Sequence, residues 1–265
     1  MISPAAARHA FWKLGFMLRT GAPAWSMRAY LRCNGLRRLS GRSSPDGTRY
    51  EEARDDFRRY LKHLTIASDW FTDSIPAILR AVDIAGLKER DALNCLEVGS
   101  WQGVSACFFL RRFEMARLTC VDTWEGSDEH RNGDAATPQV LETVEAVFDK
   151  NTAPFSGRLT KHKGTSLSFF NAAREQERYD LVYIDGSHRS DDVIVDAVNC
   201  FKMLKDGGIL IFDDYFWTYY EAELENPASA INAFLRMKRH RLEILSFDYQ
   251  LIVRKRPGRT RREQA

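Results

Sequence analysis

Three features of the sequence predict an α/β fold: a doubly wound, mostly parallel sheet with an antiparallel C-terminal hairpin strand, preceded by a helical N-terminal arm. Short apolar runs at 93–98, 118–121, 179–184 and 209–212 are separated by helix-length gaps, the pattern of parallel strands joined by crossover helices and covered on both faces. An acid stands at or just past the carboxyl end of each run, at Glu97, Asp122, Asp185 and Asp213. Two further runs, 242–246 and 250–253, flank Phe247-Asp248-Tyr249 and read as a hairpin, which makes the last strand pair antiparallel.

From the N-terminus, residues 1–45 hold no Asp or Glu but carry Arg8, Lys13, Arg19, Arg28, Arg32, Arg37, Arg38 and Arg42 among Phe11, Trp12, Phe16, Trp25 and Tyr30. Three readings of this arm compete: a helical piece packed on the main domain or on a partner subunit, as in a homo-oligomer; a peripheral contact with an anionic membrane; or an organelle transit peptide. Residues 40–48 are a linker by composition. The domains are therefore an arm and linker at 1–48, a main domain at 49–255 and a basic, mobile tail at 256–265. Phe57, Tyr60, Leu61 and Leu64 predict an amphipathic helix over 50–68. Ser74 and Pro76 start a second, with Ile78, Leu79 and Val82 buried and a stop at Gly86. The third strand is taken to end at Lys163-Gly164-Thr165-Ser166. Ile194, Ala197, Val198, Phe201 and Leu204 form one stripe of a helix over 190–205 that Gly207-Gly208 terminates.

Composition narrows the function classes. The chain of 265 residues is 44% hydrophobic and 28% charged with a net charge of +3, which supports a sizeable core and is too small a charge to argue for nucleic acid. No basic stripe crosses the central region and no Asn-Pro-Pro-Tyr motif follows the fourth strand, so nucleic acid is not the expected substrate. No apolar run approaches the roughly 18 residues of a spanning helix. The five cysteines form no C-x-x-C pair, so a reducing cytoplasmic location is expected.

The chemistry centres on residues 93–105, where the first apolar run stops at Gly99, a second glycine follows at Gly103, and the periodic Val104, Cys107 and Phe108 begin a helix. Glycines allow a tight turn and close ligand approach, and free amides at a helix start favour an anionic group. The spacing lacks the third glycine of a dinucleotide site, and no Tyr-x-x-x-Lys pair occurs, which argues against a nicotinamide oxidoreductase. Glu97 beside the turn repels a pyrophosphate and suits a ligand with a cationic or hydroxyl-rich end. Asp122, 25 residues further on, stands where a carboxylate grips a ribose hydroxyl pair; capping a helix is its alternative role. Trp124 either lies against an adenine face or packs in the core.

With Glu97, Gly99 and Gly103 in place, E-x-G-x-x-x-G resembles motif I of the class I S-adenosylmethionine-dependent methyltransferases. Tyr183-Ile-Asp-Gly-Ser-His188, Asp196, Leu204-Lys-Asp-Gly-Gly-Ile and Phe212-Asp-Asp-Tyr-Phe-Trp217 look like the second half of the bacterial group called methyltransferase domain family 24. Val121-Asp-Thr-Trp-Glu-Gly and Tyr249-Gln-Leu-Ile-Val-Arg-Lys also fit it, so the similarity covers about 68–255 and leaves 1–50 outside. The resemblance implies a Rossmann-like fold that binds S-adenosylmethionine through Glu97 at the ammonium, Gly99, Ser100 and Gly103 at the turn, Asp122, Thr123 and Trp124 after the second strand, Thr165 and Ser166 at the adenine edge, and Asp185. It also implies Asp185, Asp213 and Asp214 as ligands of a divalent cation such as Mg²⁺, with hydrogen bonding to backbone amides as their alternative role. His188 with Asp185 is the catalytic pair, the imidazole accepting the acceptor's proton, and His130 is a weaker candidate base. The expected reaction is O-methylation of a small molecule or sugar, with specificity in the arm and in 127–153 and 215–230. A metal-independent enzyme with another acceptor, or a non-catalytic cofactor-binding scaffold, remains the alternative.

Overall fold

The computed structural model describes residues 4–39, 45–90, 92–173 and 176–258. The expected α/β sheet is present, with seven strands in the order β3-β2-β1-β4-β5-β7-β6. In chain order the elements are α1 (Pro4–Arg19), α2 (Ala24–Leu39), α3 (Pro45–Tyr60), α4 (Ile75–Ile84), β1 (Asn94–Val98), α5 (Val104–Arg112), β2 (Arg117–Asp122), α6 (Asp128–Arg131), α7 (Pro138–Thr152), β3 (Leu159–Lys163), α8 (Ser166–Ala172), β4 (Tyr179–Ile184), α9 (Ser190–Met203), β5 (Leu204–Phe212), α10 (Pro227–Met237), β6 (Leu242–Phe247) and β7 (Leu251–Lys255). The strands β1 to β5 pair in parallel, whereas β7 runs antiparallel to both β5 and β6. Strand order reverses between β1 and β4, the point at which open α/β sheets bind ligands.

Alternation along the central strands explains the two covered faces. Leu96, Val98, Val182, Ile184, Leu210 and Phe212 face one apolar layer, which also holds residues of α1, α2, α9 and α10. Cys95, Leu181, Tyr183, Ile209 and Ile211 face the other, with residues of α3, α4, α5 and α7. A period of two that is apolar at every position is what burial on both faces requires.

Three expected boundaries move, each for a local reason. Of the linker at 40–48, residues 40–44 lie outside the described part, and 45–48 are already helical because α3 starts at Pro45, where a proline loses no hydrogen bond. That helix stops at Tyr60 rather than near 68. Beyond it the backbone of Thr65 bonds Asn151 at both its N–H and its carbonyl (2.9 and 2.8 Å), and the N–H of Ala67 bonds Gln102 (2.7 Å). Helix α9 ends at Met203, and Gly207-Gly208 lie inside β5. There the pairing jumps from Tyr179↔Leu204 to Leu181↔Ile209, and Gly207, at φ +80°, accommodates the bulge. The tail beyond 258 lies outside the described residues.

Gly99 joins this sheet to the site. It adopts φ +84°, and a Cβ there would sit 1.9 Å from the Asp185 carbonyl oxygen. By contrast Gly86, at φ +69°, has open space where its Cβ would point. Gly86→Ala is therefore expected to cost about 1 kcal/mol from backbone strain alone, and Gly99→Ala more than about 3 kcal/mol because backbone must also move. Equal unfolding free energies for the two variants in urea melts would refute the close-approach argument.

Candidate active site

A cavity of about 1030 Å³ opens at the carboxyl ends of the parallel strands. Twelve Asp and Glu residues line it against two arginines, Arg131 and Arg189, and both arginines are engaged by Asp128, at 2.9 and 2.7 Å. A space so walled favours a ligand carrying positive charge.

The turn after β1 is held by one carboxylate. Asp122 Oδ2 accepts the N–H groups of Ser100 (2.7 Å) and Trp101 (2.9 Å), and its Oδ1 accepts that of Trp124 (2.7 Å). Asp122 thus fixes the turn and at the same time lines the cavity, as do Gly99 and Thr123. The remaining expected cofactor contacts of this region lie elsewhere. Glu97 is fully buried beneath the turn and accepts from the Ser100 hydroxyl (2.6 Å) and the Cys120 thiol (3.3 Å), so neither Glu97 nor Ser100 forms the cavity wall. Burial pushes the Glu97 carboxyl up to about 7 against these bonds. Gly103 makes room for Phe148 and Thr152 of α7, which stand 3.0 and 3.1 Å from where its Cβ would be. Trp124 is a core residue: it is buried, packs on Phe148 at 4.8 Å and donates Nε1–H to the Trp101 carbonyl (2.9 Å). Its ring is therefore turned to the α7 side and is no adenine platform.

Across the cavity, Thr165 and Ser166 line the wall at the end of β3. The Thr165 hydroxyl caps α8 by accepting the Ser168 N–H at 3.1 Å. Ser166 bonds Asp196 of α9, whose carboxyl burial raises to about 7 and whose Oδ1 has no protein partner.

At the ends of β4 and β5 the carboxylates crowd together. Asp185, His188 and Asp214 each offer a ligand atom within 4.8 Å of the others. Asp213, expected in that set, is drawn away because its Oδ1 accepts the Tyr183 hydroxyl (2.7 Å) and the Gln250 amide. Burial, then the charge of Asp214, pushes it up to about 7. Burial and the charges of Asp213 and Asp214 hold the Asp185 carboxyl well above the usual range. His188 bonds Glu129 through Nδ1 (2.8 Å) and Asp214 through Nε2 (2.9 Å). Burial opposes a charge on the ring, but these two bonds outweigh it and raise its pKa to about 10. In this arrangement His188 keeps its proton at neutral pH, so the free base expected from the sequence is absent while both carboxylates stay in place. His130 is the reverse case: burial lowers its pKa, and its ring packs against Trp101 at 4.2 Å in a tilted contact.

The sequence reading missed Glu129 and the aromatic walls. Trp217 lies 4.3 Å from the His188 ring, and Trp101 takes φ +45°, a conformation that a bulky residue adopts only when its surroundings enforce it. Glu129 stands in the short helix α6, 59 residues before His188, and no local pattern announces that pairing.

Glu97 supplies a pH test. Its carboxyl is raised from an ordinary 4.5 to about 7 in the folded state, so between those values the native chain binds more protons than the unfolded one. Stability falls as pH rises through this window, by up to roughly 3 kcal/mol at about 1.4 kcal/mol per unit. Glu97→Gln removes the contribution, and its melting temperature relative to the parent is expected to climb by several degrees from pH 5 to pH 8. A difference that stays flat across that range would contradict the assignment.

Residues 96–215, from β1 through the segment after β5, match the family described as "Methyltransferase domain". An uncharacterized protein of Acanthamoeba polyphaga mimivirus is 23% identical over 139 residues, 50% of this chain and 56% of its own length. The chain thus spans about half the length of the curated relative it matches. Among solved structures, the MycE methyltransferase of the mycinamycin biosynthetic pathway, in complex with Mg, SAH and mycinamycin VI, superposes with a TM-score of 0.52 at 15% identity, over 77% of this chain and 53% of that one. The O-methyltransferase TomG from Streptomyces achromogenes, in complex with SAM, gives 0.48 at 14% identity, over 86% and 100%. At such identity the likeness to MycE is one of fold. The match falls on the cavity-bearing part of the sheet, so over residues 96–215 this chain is similar to the methyltransferase domain family.

Proposed function

We propose that the protein transfers a methyl group to a hydroxyl of a small molecule or sugar, with assistance from a divalent cation such as Mg²⁺. The observation that carries this reading is the gathering of Asp185, His188 and Asp214 in the same cavity as the Asp122-braced turn. The carboxylate oxygens of Asp185 and Asp214 suit a hard cation, and Asp185 shares a hydrogen bond with Asp214, a pairing of acids that a cation would relieve. MycE, whose fold the chain shares, is described with Mg and SAH bound.

S-adenosylmethionine supplies an activated methyl on a sulfonium, and a bound cation would lower the pKa of an acceptor hydroxyl. The chain's own residues do the rest. Gly99, Asp122 and Thr123 hold the donor side, with Thr165 and Ser166 at the opposite wall. Trp217 and His188 bound the acceptor side and exclude water, so the reaction depends on alignment. With the cation held by the Asp185 and Asp214 carboxylates, Asp214 turns from the His188 imidazole, and Nε2 of a ring that Glu129 fixes through Nδ1 is left to take the hydroxyl proton. The volume sits at the upper end of single-ligand pockets, roughly 300–1,000 Å³, and suits a donor with a modest acceptor beside it.

Labelled S-adenosylmethionine incubated with a panel of hydroxyl acceptors tests the reading. Transfer is expected to require Mg²⁺ and to stop with EDTA, while calorimetric binding of the donor is unchanged. Asp214→Asn should lower kcat by about 100-fold or more and leave the donor Kd within about threefold. Turnover indifferent to EDTA would remove the metal from the proposal. Donor binding with no transfer to any acceptor would favour a non-catalytic binding role.

A further inference from the structure

The arm is fastened to the domain along one side. Phe16 and Met17 of α1 and Ala29 and Tyr30 of α2 are buried in the core layer of α9 and α10. Phe16 and Tyr30 both meet the ring of Phe216, at 5.9 and 5.8 Å. Because one residue of the domain receives a side chain from each helix, α1 and α2 lie side by side with their inner faces on the same support. Lys13 to Asp248 (3.4 Å), Arg19 to Glu223 (2.7 Å) and Asn34 to the Phe247 carbonyl (2.9 Å) secure them.

Their outer faces are left with a different composition. At about 100° per residue, Arg8, Phe11, Trp12 and Leu18 fall within one arc of α1 roughly 120° wide, opposite Met17, and Arg28, Leu31 and Arg32 share an arc of α2 opposite Ala29 and Tyr30. Phe11 is 74% exposed, Trp12 43%, Leu18 63% and Leu31 53%. Four of the eleven exposed large apolar residues of the described chain therefore crowd onto this one short arm, more than the scatter expected of an ordinary soluble face. Arg8, Arg28 and Arg32 are exposed among them, and the first 45 residues contain no acid. Such a face matches a partner that is negative at its surface and apolar a few ångströms beneath it. Nucleic acid meets the charge but offers little depth to Leu18 and Leu31.

We infer that the outer face of α1 and α2 is a docking surface for an anionic lipid bilayer. The aromatic and leucine side chains enter the boundary between headgroups and acyl chains, and the arginines remain at the phosphates. No helix among the described residues is long and apolar enough to cross a membrane, so the contact is peripheral. The surface is separate from the cavity, and the inference stands apart from the proposed methyl transfer.

Sedimentation of the full chain with vesicles decides it. The protein is expected to pellet with vesicles of phosphatidylcholine mixed with phosphatidylglycerol and to stay in solution with phosphatidylcholine alone. High salt should weaken the binding by about tenfold or more. Phe11→Ser combined with Leu18→Ser should cut partitioning by about tenfold or more at unchanged melting temperature. If that pair lowers the melting temperature, Arg28→Glu with Arg32→Glu is the deciding variant and should abolish the preference for anionic vesicles. Failure to pellet with the mixed vesicles, or equal binding to neutral ones, overturns the proposal. So does a dimer in analytical ultracentrifugation that Phe11→Ser with Leu18→Ser dissociates, which would assign the face to a second copy of this chain.

Discussion

The contact between Gly99 and the end of β4 sets the geometry of the site. The backbone of Gly99 lies so near the Asp185 carbonyl that a methyl group cannot fit between them. Its N–H bonds Val121 of β2 while the Asp185 N–H bonds Val98 of β1, so three strand ends are locked flush. The chain then has to turn away sharply, and two tryptophans, Trp101 and Trp124, are forced to positive φ. Such strain costs on the order of 1–3 kcal/mol per residue and persists only where the surroundings over-determine it. Here Asp122 binds the amides of Ser100 and Trp101 after β1 and of Trp124 after β2, and the Trp124 indole bonds the Trp101 carbonyl. A carboxylate that is expected to hold a ligand is thus first of all the brace of the turn that receives it.

The same locking gathers carboxylates that repel one another, and the fold answers at each position by a different means. Glu97 is sealed under hydroxyl and thiol donors with its pKa raised. Asp122 is met by amides, and Asp213 by Tyr183 and Gln250. Glu129 and Asp214 share the charge of His188. Asp185 alone depends on a neighbouring carboxyl, bonding Asp214 while both of its acidic neighbours raise its pKa. The cavity's electrostatic deficit is therefore greatest beside Asp185, which is where positive charge gains the most.

The strands were legible because apolar alternation on a sheet buried on both faces leaves little else for those runs to be, and the acids stood out because they interrupt such runs. Which way each acid points was harder to read, although part of it was present as parity. Glu97 shares a face with Cys95, under α5, so it belongs to the helix side of β1 and not to the strand's open end. Asp213 continues the face of Ile209 and Ile211, the face of Tyr183, which is why it meets the Tyr183 hydroxyl while Asp214 is left to the cavity. Other features had no local signal. The Glu129–His188 pair spans 59 residues, and α3 stops at Tyr60 because Asn151 and Gln102 claim the backbone beyond it. These are tertiary decisions that override a helical pattern.

The arm, outside the matched segment 96–215, nonetheless helps to shape the Asp214–Trp217 side of the cavity. Tyr215, next to Asp214 in the chain and fully buried, donates to Asn232 (2.8 Å), and the Asn232 amide in turn donates to the carbonyl and hydroxyl oxygens of Thr20 (both 3.1 Å). Phe216, the following residue, is clasped by Phe16 and Tyr30, and Lys13 lies 4.6 Å from its ring centre. A buried polar chain of this kind is rigid only while every member is satisfied. The direction in which Asp214 and Trp217 leave the sheet is therefore set jointly by β5 and by a segment more than 190 residues earlier. The Asp122 side of the cavity rests on the sheet and α7, whereas the Asp214–Trp217 side is also supported by the arm, so a change in the arm is felt at Asp214 and Trp217 before it is felt at Asp122.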